Sequence, residues 1–100
     1  MALEIRVVNR AQNKLAQKVF IYIDGQQKTT NIPQLENGEE CCIEIPTAEQ
    51  DLAKNIVLSY LNTDSAIIIT KIGEVTDLIQ TVRLSITDIT LEGTIRYSMT

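Results

Sequence analysis

The chain has 100 residues, 44% of them hydrophobic and 22% charged, with a net charge of −4. That length makes one domain able to bury about two-thirds of its unfolded surface in a single core, so no disulfide staple is required. No apolar run approaches the roughly 18 residues of a membrane-spanning helix, and the composition is too apolar for a disordered chain.

Strand candidates follow one another with turn punctuation between them. Leu3 to Asn9 comes first, with Leu3, Ile5 and Val7 on one face. A polar connection, Asn9 to Gln17, leads to Val19 to Asp24, and Asp24-Gly25 supplies residues that tolerate positive φ in a tight turn. Glu36-Asn37-Gly38 is a second turn and launches Glu40 to Ile45, which Pro46 stops because it has no N–H for a ladder.

Thr47 to Asn55 is the only helical candidate. Thr47 and Gln50 have capping-box spacing, which predicts one or two turns. Strands are then expected at Ile56 to Leu61, Ala66 to Ile72 and Leu78 to Ile86, separated by Asn62-Thr63-Asp64-Ser65 and by a loop from Gly73 to Asp77. The tail, Ile89 to Thr100, alternates apolar and polar residues without a break and predicts one last strand.

The fold class is therefore all-β, an antiparallel two-sheet sandwich of about seven strands with at most one short helix near 47–55. In strand number and length it resembles immunoglobulin-like or fibronectin-like sandwiches, so that topology or a related one is expected. The chain lacks Trp, and its adjacent cysteines do not suit the inter-sheet bridge of antibody domains.

Charge is unevenly spread. Residues 1 to 28 carry five basic and two acidic residues, a balance of +3, and residues 29 to 100 carry four basic and eleven acidic, a balance of −7. Lys and Arg along the first strands are expected to keep a sheet edge from pairing with neighbours, the alternative being a basic surface that steers an anionic partner.

Absence of histidine removes Ser-His-Asp and Cys-His nucleophilic systems, histidine acid or base catalysis and His-containing zinc sites. Four dispersed glycines make neither a P-loop nor a dinucleotide fingerprint. In an extended strand Cys41 and Cys42 point to opposite faces with Cα atoms about 3.8 Å apart, too close for the usual disulfide. Cys41 is in phase with Ile43 and Ile45 and is expected in the core, while Cys42 shares a face with Glu40 and Glu44, which disfavour its thiolate.

Val19 to Ile23 is apolar in both phases. Val19, Ile21 and Ile23 take one face, so Phe20 and Tyr22 fall on the other, and a similar excess recurs at Ile67, Ile68 and Ile69. Phe20, Tyr22, Ile67 and Ile69 are thus the candidate contact residues for a protein partner or a homo-oligomer, unless the Asn9 to Gln17 connection or the short helix covers them.

The leading expectation is a non-catalytic binding or assembly module without a cofactor, acting through these contacts. The alternative is a calcium-dependent module of C2-like type using Asp24, Asp64 and Asp88, which strictly alternating strands would gather at one end. The third and weakest is an enzyme built on carboxylates such as Glu40, Glu44, Asp64 or Asp88. Nucleic acid is disfavoured by the acidic balance and by the lack of interleaved basic and aromatic residues. With no basic region followed by an apolar stretch at the start of the chain, a cytoplasmic location is the default expectation.

Overall fold

The computed structural model describes all residues from Met1 to Thr100, and it contains eight strands. They are β1 (Ala2–Asn9), β2 (Val19–Ile23), β3 (Thr30–Ile32), β4 (Glu40–Pro46), β5 (Asn55–Leu61), β6 (Ile67–Glu74), β7 (Gln80–Ile89) and β8 (Ile95–Met99). Two four-stranded sheets result. Sheet A has the order β4-β1-β7-β8 and sheet B the order β3-β2-β5-β6.

The sandwich expected from the sequence is present, and every pairing is antiparallel except one. β1 and β7 run parallel, with Ile5 opposite Val82 and Val7 opposite Leu84. β1 and β2 lie in different sheets, so the strand order is not the constant-type immunoglobulin order, in which the first two strands share a sheet. A core of 21 buried hydrophobic residues joins the two sheets, including Leu3, Ile5 and Val7 of β1, Ile21 and Ile23 of β2, Ile56 and Leu58 of β5, and Leu84 and Ile86 of β7. Each set follows the period of two that turns alternate side chains inward.

β3 is the strand the sequence pattern missed. It has three residues, is followed at once by Pro33 and pairs only with β2, so it carries too little alternation to stand out between two turn signals. The expected helix at Thr47 to Asn55 shrinks to a single 3-10 turn at Glu49–Asp51. The Thr47 hydroxyl donates to the Leu78 carbonyl rather than capping, the Asp51 carboxylate accepts the Ala48 N–H at 2.8 Å, and the helix ends as Leu52 leaves it at ψ 137°, with Ala53 then turning to φ +66°.

The tail is not one strand. A turn at Thr90–Thr94 splits it, with the Gly93 N–H donating to the Thr90 carbonyl and the Thr90 N–H to the Thr94 carbonyl, both at 2.9 Å. Ile89 closes β7 and lies opposite Ile95, which opens β8. Gly93 has φ +81°, and a Cβ there would sit 3.0 Å from the Thr63 amide nitrogen. Alternation therefore passes unbroken through a hairpin, and Leu91 is 94% exposed at its tip.

One end of the sandwich gathers the β1–β2 connection, the β3–β4 loop and the 62–66 and 90–94 turns. The Leu15 N–H donates to the Leu35 carbonyl, the Thr63 N–H to the Glu92 carbonyl and the Gln17 side chain to the Gly93 carbonyl. Asn9 anchors this end. Its fully buried amide donates to the carbonyls of Asn13 and Leu35 and accepts the Ala11 N–H at 2.9 Å, so Ala11 and Leu15 are drawn into the core. Replacing Asn9 by Ala leaves the Asn13 carbonyl and the Ala11 N–H without their partner and takes one of two donors from the Leu35 carbonyl, and should lower stability by roughly 2–4 kcal/mol in urea unfolding. Gly93→Ala should cost about 1–3 kcal/mol in the same assay, because the left-handed backbone is then strained.

Candidate functional site

Cross-strand register builds the outer face of sheet B. Phe20 lies opposite Ser59, which lies opposite Ile69; Tyr22 lies opposite Val57, which lies opposite Lys71; and Leu61 lies opposite Ile67. Since directly opposed residues share a face, all of these side chains point away from the core. The four residues singled out from the sequence thus meet on one surface, although they come from strands more than 40 residues apart. Phe20 and Tyr22 are half-buried, whereas Ile67 is 68% exposed and Ile69 64% exposed. Ile68 turns inward and packs on the core.

Neither expected cover lies over this surface. The β1–β2 connection sends Ala11 and Leu15 into the core, and the 3-10 turn sits beyond the opposite end of the sandwich, tied through Lys54 and Ala53 to Val75. What the connection does contribute is Gln17 and Lys18, which form with Phe20, Ser59, Leu61 and Ile67 the walls of a half-open groove of about 460 Å³. Lys18 and Lys71 bring positive charge to this face, Glu74 lies on it opposite Asn55 at the far end of β6, and no carboxylate lines the groove. Leu61, 51% exposed, and Ser59 belong to the surface but were not picked out from the sequence. Leu61 was hidden because Ile56 to Leu61 is apolar in both phases, Ile56, Leu58 and Tyr60 in one and Val57 and Leu61 in the other, so phase cannot be assigned without a partner strand.

The other expected sites separate. The additional strand β3 reverses the parity of the turns after it, so Asp24 follows β2 at one end while Asp64 follows β5 at the other, with Asp88 near that second end. No three His, Cys, Asp or Glu residues gather where they could hold a metal ion. Glu40 and Glu44 project from β4, far from Asp64 in the other sheet.

Cys41 and Cys42 are free and point to opposite sides of β4, Cys41 half-buried against the core and Cys42 exposed. Burial pushes the Cys41 thiol up, with the neighbouring Cys42 adding to the effect. The Cys42 thiol is also held above its ordinary value, first by partial desolvation and then by the Glu4 carboxylate, which outweigh the opposing pull of Arg6.

Comparison of the chain with protein-family models, with curated proteins and with solved structures finds no match in any of the three.

At neutral pH a chromogenic disulfide reagent should label Cys42 several-fold more slowly than free cysteine, and Cys41 only after unfolding. Glu4→Gln should speed the labelling of Cys42, since it removes a charge that opposes the thiolate.

Proposed function

We propose that this protein is a non-catalytic assembly module that associates with a second copy of itself through the β6 edge and the adjoining outer face of sheet B. The observation that carries the reading is the contrast among the four sheet edges. β3 is three residues long and runs into Pro33, β4 displays Glu40 and Glu44 and ends in Pro46, and β8 is short and turns Arg96 to water. β6 is eight residues long and opens with Ile67-Ile68-Ile69-Thr70, without a charge or a proline in that stretch. Charges, prolines and short length are the usual means of preventing edge pairing, and the first half of β6 has none of them.

Self-association is favoured over an unrelated partner by the charges on this strand. An antiparallel pairing of two β6 strands about Ile69 sets Ile67 of each copy beside the aliphatic stem of Lys71 of the other, and no like charges on the strand oppose each other. A two-fold arrangement of this kind closes on itself and yields a dimer rather than a filament. The absence of histidine and the scattering of the carboxylates support the non-catalytic part of the reading. Two unbridged thiols suit a cytoplasmic setting.

Light scattering on the purified protein should give the mass of a dimer. Ile69→Lys should shift it to monomer with little change in melting temperature, because that side chain is already largely in water, and Phe20→Ser should disturb assembly more than folding. A strict monomer at millimolar concentration would overturn the self-association reading and leave a different protein as the occupant of the edge.

A further inference from the structure

All four arginines of the chain, Arg6, Arg10, Arg83 and Arg96, belong to sheet A or its immediate extension, on the opposite side of the molecule from the assembly surface. Three of them, Arg6, Arg10 and Arg83, line one groove of about 340 Å³ together with Val8, Glu40 and Ser85. The sequence-based expectation that early basic residues guard a sheet edge does not hold for Arg6. β1 lies inside sheet A between β4 and β7, and the strand at that edge is the acidic β4.

Register makes the cluster. Arg6 is directly opposite Arg83 on the parallel pair β1 and β7, and two residues further along Val8 is opposite Ser85. Arg10 comes two residues after Val8, held in place as its backbone N–H donates to the Ile86 carbonyl at 2.8 Å. A floor of Val8 and Ser85 is thus bounded by two guanidinium groups on one side and a third on the other. The Cα atoms of Arg6 and Arg10, four residues apart on an extended chain, are separated by about 13 Å, a gap that two long side chains span from either side.

Like charges directly opposite on neighbouring strands destabilise a sheet. Arg6 is partly compensated by Glu4, whose Oε1 lies 2.9 Å from its Nε, and this contact raises the Arg6 pKa further. Arg10 and Arg83 form no ion pair and no side-chain hydrogen bond within the chain. In a protein with a net charge of −4, two unpaired guanidiniums and a third half-engaged one converge on a groove with Glu40 on its rim and Thr100, whose backbone pairs with that of Arg83, in its wall.

We propose that this groove binds a small phosphoryl dianion, either inorganic phosphate or the phosphate of a small monoester. Three guanidiniums against Glu40 and the Glu4 carboxylate that engages Arg6 leave a local balance of +1, carried by the unpaired Arg10 and Arg83. Guanidinium forks donate paired hydrogen bonds to phosphate oxygens, and the Ser85 hydroxyl adds another donor at the floor. No aromatic side chain lines the groove, so it recognises the phosphoryl group and not a stacked base.

The test is a titration of isotopically labelled protein with inorganic phosphate and, separately, with glycerol 3-phosphate, each against sodium chloride at matched ionic strength. Saturable shifts of the Arg side-chain Nε–H signals and of the Val8 and Ser85 amides are expected with one or both probes and not with chloride. Stronger binding of the ester than of phosphate would assign the groove to a monoester, and the reverse order to the free ion. Arg83→Gln, and independently Arg10→Gln, should weaken binding at least tenfold while the melting temperature holds or rises, and Arg96→Gln should leave it within twofold. Shifts equal to those in chloride, or undiminished in both groove variants, would overturn the site.

Discussion

Each strand of this sandwich gives alternate residues to the space between the sheets, and the rest of the structure depends on that division. Fully burying one Ile, Val or Leu side chain is worth about 1.5–3 kcal/mol, whereas a favourable pair on the outer surface of a sheet contributes about 0.2–1 kcal/mol. Core packing therefore decides register, and outer residues meet as a consequence. Leu3, Ile5 and Val7 of β1 with Leu84 and Ile86 of β7 lock the parallel pair, and Arg6 arrives beside Arg83 as a result. Ile21 and Ile23 of β2 with Ile56 and Leu58 of β5 do the same in sheet B, and Phe20 and Tyr22 arrive in the rows that β6 extends to Ile69 and Lys71.

Much of this was legible in the sequence wherever the relevant physics is local. The period of two in Leu3, Ile5 and Val7, the turn at Asp24-Gly25 and the double-phase apolar strand at Val19 to Ile23 are written within a few residues of themselves. The opposite orientations of Cys41 and Cys42 follow from the same period. What was not legible depends on which strand lies beside which. The parallel pairing joins residues 77 positions apart, and nothing near Arg6 announces Arg83. The tail misleads for a related reason: a turn with an even spacing preserves alternation, so Ile89, Leu91, Gly93 and Ile95 read as one strand although Gly93 bends the chain back. A short edge strand has the largest effect on site prediction, because missing β3 moved Asp24 to the wrong end relative to Asp64.

The two outer faces have opposite chemistry. On sheet A the outward residues of β4 and β1 include Glu40, Glu44, Glu4 and Arg6, and those of β7 and β8 include Arg83 and Arg96. On sheet B the outward residues are chiefly Phe20, Tyr22, Val57, Leu61, Ile67 and Ile69. Polar residues at Ile67 and Ile69 would leave the core untouched. Within the monomer the aliphatic side chains there contribute only what cross-strand pairs such as Leu61 with Ile67 supply, about 0.2–1 kcal/mol each, and the proposed assembly would give them a larger role.

The same reasoning applies to the arginines with the sign reversed. Because core packing sets the register of β1 on β7 whatever occupies the outer positions, the fold does not require Arg at either 6 or 83. Thr, Ser or Glu at one of them would retain the register and relieve the repulsion. Edge protection does not account for the pair, as both strands are internal, and intramolecular pairing accounts only for the part of Arg6 that Glu4 engages. Solubility is also served without them, since the chain is already acidic. What remains is a small concave patch where the local charge opposes that of the whole molecule, and an anion is the species whose binding turns that unfavourable arrangement into a favourable one.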